Sequence, residues 1–362
     1  MKTIAVLVTG VAWKPLGGLK VIYEYANKLT DEGATINIYY SVSSDFGQYN
    51  FKLRLKSFIK FIYFKFFKDF KCRNWFKLDG KIKEHLVWKL TEDSIGEHDC
   101  YIATTVQSAV FLSKFLRVDN LKKFYFIQGF ENWSYGITDD MVYESYRYPM
   151  NKIVIANWLK DKVSEVGHTC SFVPNGFDSN KFYISNAINN RTRTSICMMY
   201  NTKLSKGCND CFKALEVVKN EVPTINVNIF GIPSRPDFLP DWYNYVQLPS
   251  PQQLRELYND SAIFVGASHS EGWGLTIGEA MMCGCAVACT DNAGYMEMAH
   301  NNETALVSRT KHPDELAENI LRLLRNDELR KNLATRGNAF IQSLDSVSSY
   351  NKFKKAIGWN SL

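Results

Sequence analysis

Two glutamates eight positions apart, around a glycine-rich loop, are the residues most able to do chemistry together. The stretch reads Ser268-His-Ser-Glu271-Gly-Trp-Gly274-Leu-Thr-Ile-Gly-Glu279-Ala-Met-Met-Cys-Gly284, and apolar runs flank it at Ala262–Ala267 and from Cys285 onward. That order predicts a buried strand, a loop, a helix from near Gly274 that stops at Gly284, and a second strand. Gly272 and Gly274, with Trp273 between them, let a ligand approach the backbone, and the free N–H groups of Gly274, Leu275 and Thr276 suit a diphosphate. Glu271 and Glu279 would repel phosphate but accept hydrogen bonds from vicinal diols, as on ribose and hexose rings. A diphosphate cradle between two diol acceptors describes a nucleotide-sugar site. The plainer alternative makes Glu271 a solvated loop residue and Glu279 a helix-surface residue.

The elements that must position this loop follow a repeated strand–helix pattern. Ile4–Val8 is a continuous apolar run, the glycine pair Gly17-Gly18 follows, and Val21, Ile22, Tyr25 and Leu29 recur at helical spacing before Gly33. Further strands are expected at 36–40, 99–105, 123–128, 153–156 and 171–176, and the pattern resumes at 195–200, 226–231, 245–248 and 262–267. Alternation of this kind predicts an α/β protein of two Rossmann-like, doubly wound domains, consistent with a length of 362 residues. Residues 1–178 form the expected first domain and 195–344 the second, with the polar stretch 178–194 as linker or crossover. A helix within 345–362, at roughly 345–358, is expected to cross back to the first domain.

With these motifs in place the sequence resembles the retaining family 4 glycosyltransferases of the bacterial polysaccharide and lipopolysaccharide type. The Glu271/Glu279 pair is similar to that family's E-x7-E signature. Gly17-Gly18 resembles its N-terminal glycine loop, Val173-Pro-Asn-Gly-Phe-Asp178 with Phe182 its interdomain segment, and Tyr200-Asn-Thr-Lys-Leu-Ser-Lys206-Gly207 its phosphate-binding loop. The resemblance covers nearly the whole chain and implies the GT-B fold, two Rossmann-like domains facing across a cleft. It implies Glu271 as partner of the donor-sugar hydroxyls, Glu279 as acceptor of the ribose diol and Lys206 as a point charge on the diphosphate. It also implies nucleobase contacts along 247–250, at Gln247, Leu248 and Pro249. Two positions depart from the family pattern: its phosphate-binding arginine is Asn201 here, with Lys203 close by, and its first-domain histidine is Gln128. Gln128 retains hydrogen-bonding capacity toward a sugar, and Glu131 is a candidate to position the acceptor, or else a surface loop acid.

The implied enzyme is a retaining hexosyl- or deoxyhexosyltransferase. It moves a sugar from a UDP-, dTDP- or GDP-linked donor to a saccharide or lipid-linked saccharide acceptor, in capsule or O-antigen synthesis. No Asp-x-Asp occurs in the sequence, so neither a metal nor any other cofactor is expected. A nucleotide-sugar epimerase and an inactive sugar-nucleotide-binding subunit are the alternatives. The absence of G-x-G-x-x-G near Gly17 weighs against a nicotinamide-dependent oxidoreductase.

Composition narrows the partners. A net charge of +6 with 46% hydrophobic residues fits a folded protein and is too weak an excess to imply nucleic acid. Residues 51–90 differ: they hold twelve Lys or Arg against three acids, interleaved with eleven aromatics such as Phe58, Phe61, Tyr63, Phe66 and Phe70. This insert suits an amphipathic helix or hairpin on an anionic membrane surface; the alternatives bury its aromatics in the core or bind single-stranded nucleic acid. Nine scattered cysteines read as small buried hydrophobes, and Cys208-Asn-Asp-Cys211 lacks the second pair that zinc would need. No apolar run is long enough to span a membrane. The expected location is cytoplasmic, peripheral on the inner face of the plasma membrane.

Overall fold

The computed structural model describes residues 2–43, 51–134 and 136–359. Met1 and residues 360–362, at the ends of the expected domain ranges, lie outside them. The chain divides into two compact units, one of residues 1–174 with 350–362 and one of residues 175–349.

The first unit holds strands β1 (Thr3–Thr9), β2 (Thr35–Ser41), β3 (Lys83–Val87), β4 (Cys100–Ala103), β5 (Lys123–Ile127), β6 (Asn151–Val154) and β7 (Ser171–Phe172). Its helices are α1 (Gly17–Asp31), α2 (Phe51–Phe66), α3 (Glu92–Ile95), α4 (Val106–Ser113), α5 (Asp139–Arg147) and α6 (Asn157–Ser164). The strands pair in parallel in the order β3-β2-β1-β4-β5-β6-β7. Ile4–Val8 is buried throughout, as a central parallel strand covered on both faces requires.

The second unit holds β8 (Ser195–Tyr200), β9 (Asn226–Gly231), β10 (Tyr243–Gln247), β11 (Ile263–Gly266), β12 (Ala286–Thr290) and β13 (Leu306–Ser308). Its helices are α7 (Cys208–Glu221), α8 (Pro251–Asn259), α9 (Leu275–Met282), α10 (Pro313–Arg325) and α11 (Asp327–Gln342); α12 (Ser346–Ala356) runs from this unit into the first. The sheet is again parallel, in the order β10-β9-β8-β11-β12-β13. Both sheets therefore share the doubly wound order, and each reverses direction between its first and fourth strands. In such sheets ligands bind at that reversal, off the carboxyl ends of the strands.

Residues 178–194, expected as a linker or crossover, pack as part of the second unit. Arg191 is buried and donates to the carbonyls of Tyr258, Ser261, Asn186 and Cys283. Tyr258 and Cys283 sit at the C-termini of α8 and α9, where exposed carbonyls favour a cation. The divisions fall at 174/175 and 349/350 rather than at 178 and 345, because Asn175 onward and Asp345 pair within the second unit through the Phe177–Asp345 bridge. At the other end of the chain, Phe353 stacks on Tyr25 and packs against Phe126, with ring centroids 4.6 and 5.4 Å away. Lys354 also pairs with Glu32 at 2.9 Å. These contacts hold residues 350–359 in the first unit.

Candidate donor site at the β8/β11 reversal

Two loops leave the second sheet at its reversal point. After β8, Asn201 turns the chain by accepting from the Lys203 N–H at 2.9 Å, Lys203 is exposed, and Leu204–Lys206 make one 3-10 turn. Gly207 follows with φ of +59°, and a β-carbon there would lie 1.8 Å from the Ala267 carbonyl oxygen. Only glycine lets this loop press against the one after β11. The His269 N–H donates to the Ser205 carbonyl at 2.8 Å, and His269 Nε2 meets Asp210 Oδ2 at 2.6 Å, so the loops are tied at two further points.

The contact brings the expected charges together. Lys206 Nζ donates to Glu271 Oε1 and Oε2 at 2.7 and 2.8 Å, and the side chains are only 24% and 13% exposed. Ser268 Oγ also donates to Glu271 Oε1, at 2.7 Å. Beyond Glu271 and Gly272, Trp273 is buried, and its indole nitrogen has no hydrogen-bond partner among the described residues. Gly274 then adopts φ of +111° as N-cap of α9 and offers no side-chain cap. The backbone N–H groups at Leu275 and Thr276 thus open a helix with no acid in its first turn, and the structure records no carboxylate among the described residues as a cap on its positive end. Lys206, Ser268, Thr276 and Tyr295 line one small cavity.

Glu279 lies in the second turn of α9, buried, with the Tyr258 hydroxyl 3.5 Å from its Oε2. It is a core-facing position, not the helix-surface one of the plainer reading. The expected nucleobase residues stand at the carboxyl end of β10 on the same sheet edge. Gln247 donates to the Ile232 carbonyl at 3.2 Å, and Leu248, half exposed at φ of +48°, donates its N–H to Gly231. Pro249 precedes the Ser250 cap of α8.

The other expected residues belong to the first unit. Gly17 and Gly18 are the opening residues of α1 itself rather than a loop before it, and α1 has neither a side-chain cap nor an acid in its first turn. Gln128 follows β5, and its Oε1, which has no hydrogen-bond partner among the described residues, would lie 3.2 Å from a β-carbon on Gly18. Glu131 is not a surface loop acid. It is buried, and its Oε2 accepts the Val106 N–H at 2.7 Å, sealing the N-terminus of α4. Burial pushes its carboxyl up to about 7, against the opposing pull of that N–H.

Residues 183–340 match the family Glycosyl transferases group 1. The whole chain also superposes on solved structures with that architecture. Sucrose-phosphate synthase from Thermosynechococcus elongatus matches with a TM-score of 0.74 at 13% identity, covering 98% of each chain. The Anabaena protein HepE in complex with UDP and glucose matches with a TM-score of 0.71 at 14% identity, over 99% of this chain and 100% of that one. The fold is GT-B. Among curated relatives, an N,N'-diacetylbacillosaminyl-diphospho-undecaprenol alpha-1,3-N-acetylgalactosaminyltransferase of Campylobacter jejuni is 38% identical over 79 residues, 22% of this chain and 21% of that protein. An O-antigen chain mannosyltransferase B of Escherichia coli is 33% identical over 96 residues, 26% of this chain and 25% of the other. The matches thus span only a quarter or less of the length of these relatives.

Sequence reasoning missed Tyr295 and Asn292, which contact Ser268 from the loop after β12. No spacing signals them, because their relation to Glu271 exists only once β11 and β12 lie side by side.

Proposed function

We propose that this protein is a glycosyltransferase that moves a sugar from a nucleotide-diphosphate sugar to a saccharide or lipid-linked saccharide acceptor. The observation that carries the reading is the juxtaposition of Lys206, Glu271 and the uncapped start of α9 at the β8/β11 reversal. A diphosphate there meets an ammonium group and a helix N-terminus. Those groups, with Lys203 nearby, stabilise the charge that builds on the leaving diphosphate as the glycosidic bond breaks, without a metal ion. Glu271 takes the donor-sugar hydroxyls and Glu279 the ribose diol. The backbone of 247–250 contacts the base. Transfer proceeds with retention: the acceptor hydroxyl attacks from the face the diphosphate leaves, and the leaving phosphate takes the proton. The names of the matched relatives support a bacterial polysaccharide or lipid-linked product.

The acceptor is reached at an anionic membrane, on the cytoplasmic side. Supporting this, α2 leaves Leu55, Phe58, Ile59, Tyr63 and Phe66 exposed, with Lys52, Lys56 and Lys60 at helical spacing beside them. Apolar residues that stay exposed between lysines fit a lipid interface better than a core. No described helix is long and apolar enough to cross a membrane.

The deciding assay incubates the protein with UDP-, dTDP- and GDP-sugars and bacterial membrane lipids, with and without EDTA. Mass spectrometry should find one hexose or deoxyhexose added to an acceptor, with the donor's anomeric configuration by NMR and an undiminished rate in EDTA. An isomerised sugar nucleotide formed without acceptor would replace transfer with epimerisation, and an inverted product would remove the retaining mechanism.

A further inference from the structure

Ser268 is held by the last residue of β12 and by the loop that follows it. Thr290 Oγ1 and Asn292 Nδ2 both donate to the Ser268 carbonyl, at 2.5 and 2.9 Å. The Asn292 side-chain oxygen accepts the Tyr295 N–H at 3.1 Å, which fixes the start of the next turn. The Tyr295 ring is 2% exposed, and its hydroxyl lies 3.1 Å from Ser268 Oγ.

Proton direction in this chain is dictated by its far end. A carboxylate only accepts, so Ser268 must give its single hydroxyl proton to Glu271. The Ser268 oxygen is then an acceptor, and Tyr295 must be the donor. Burial raises the Tyr295 hydroxyl well above its usual value, so it keeps that proton across the working pH range. The relay therefore runs one way, from Tyr295 to Ser268 to Glu271.

Glu271 has a second anchor in Lys206. A diphosphate carries more charge than one carboxylate, and it competes for the same ammonium group. Once Lys206 turns to phosphate, the Ser268 bond becomes the remaining restraint described on the Glu271 carboxylate.

We propose that Tyr295 is a positioning residue. Acting through Ser268, it keeps the Glu271 carboxylate aimed at the hydroxyls of the donor sugar while Lys206 engages the diphosphate. The inference rests on the nucleotide-sugar reading of this site. It assigns to Tyr295 a larger share in recognising the sugar than in recognising the nucleotide, toward which its hydroxyl reaches only through the Thr276 side chain.

Calorimetric titration of four proteins separates the two: wild type, Tyr295→Phe, Glu271→Gln and the double variant. The ligands are UDP-glucose, GDP-mannose and dTDP-glucose, each compared with its parent diphosphate. For the pair that binds wild type, Tyr295→Phe should leave the diphosphate within about twofold and weaken the nucleotide-sugar roughly fivefold, the worth of one hydrogen bond. In the Glu271→Gln background the same change should have no further effect, because the partner it serves is gone. Ser268→Ala should reproduce the Tyr295→Phe result, and it keeps the test available should the tyrosine variant fold poorly. Equal weakening of both ligands, or an undiminished loss in the Glu271→Gln background, would make Tyr295 a packing residue only and overturn the proposal. Failure of wild type to bind any of the six ligands would instead overturn the nucleotide-sugar reading, and this inference with it.

Discussion

The two sheets have the same strand order, yet they treat their reversal points in opposite ways. In the first unit, the helix after the fourth strand, α4, is closed by the protein itself. Thr105 and Ser108 form a capping box, and the Glu131 carboxylate takes the Val106 N–H. The helix after the first strand, α1, begins with two glycines and no cap. In the second unit the roles are exchanged. Helices α7 and α9 both start at a glycine without a side-chain cap, but α7 carries Asp210 in its first turn, held by His269, whereas α9 has no acid in its first turn and starts beside Lys206. Topology alone provides four helix N-termini near two reversals. Which of them can receive an anionic ligand is decided by where the chain places its own carboxylates.

The largest test of this contrast is Lys206→Met, which removes the ammonium from the open end. kcat/KM for transfer should fall about 10²–10³-fold, the usual result of deleting one group that meets developing charge. A loss under tenfold would shift the weight to the helix terminus alone. Next is the far end of α9, where Arg191 sits among carbonyls. Arg191→Met strands several buried acceptors and should cost ~3 kcal/mol, read as a lower midpoint in denaturant unfolding.

The closed end has a pH signature. The folded Glu131 carboxyl titrates at about 7 against an ordinary 4.5, so the folded state holds that proton more tightly than the unfolded chain. Its contribution is fully present below about pH 4.5 and is lost as pH rises through 7, a fall of up to ~3 kcal/mol. Glu131→Gln keeps the acceptor for Val106 and should flatten the melting temperature between pH 5 and 8 relative to wild type. A parallel pH dependence in both proteins would show that Glu131 is ionised throughout. The smallest effect belongs to His269→Asn, which loosens the Asp210 contact and should cost under ~1 kcal/mol.

Much of the second unit was legible because its signals are local. The glycines around Trp273, the Glu271–Glu279 spacing and the apolar runs on either side fix a strand, a turn and a helix within some twenty residues. The Lys206–Glu271 pairing was less accessible: the two residues are 65 positions apart, and the Gly207 and His269 contacts that bring their loops together exist only in the folded chain. Glu131 stood open between an acceptor-positioning residue and a loop acid because its neighbour in space, Val106, lies 25 residues earlier. The segment 178–194 reads as polar linker because no local pattern shows that Arg191 will find helix C-termini to bind. The relay to Tyr295 needed β11 and β12 in register before it existed.

The most direct test of the central claim is a thermal-shift panel of UDP, GDP, dTDP and ADP on wild type and on Lys206→Met. A ligand at 100 times its dissociation constant stabilises by about 2.7 kcal/mol, enough to move the melting temperature by several degrees. At least one nucleotide should raise the wild-type melting temperature, and the same nucleotide at the same concentration should do little for the variant. A wild type that responds to none, or a variant that responds equally, would contradict a nucleotide-diphosphate site at the open end of α9.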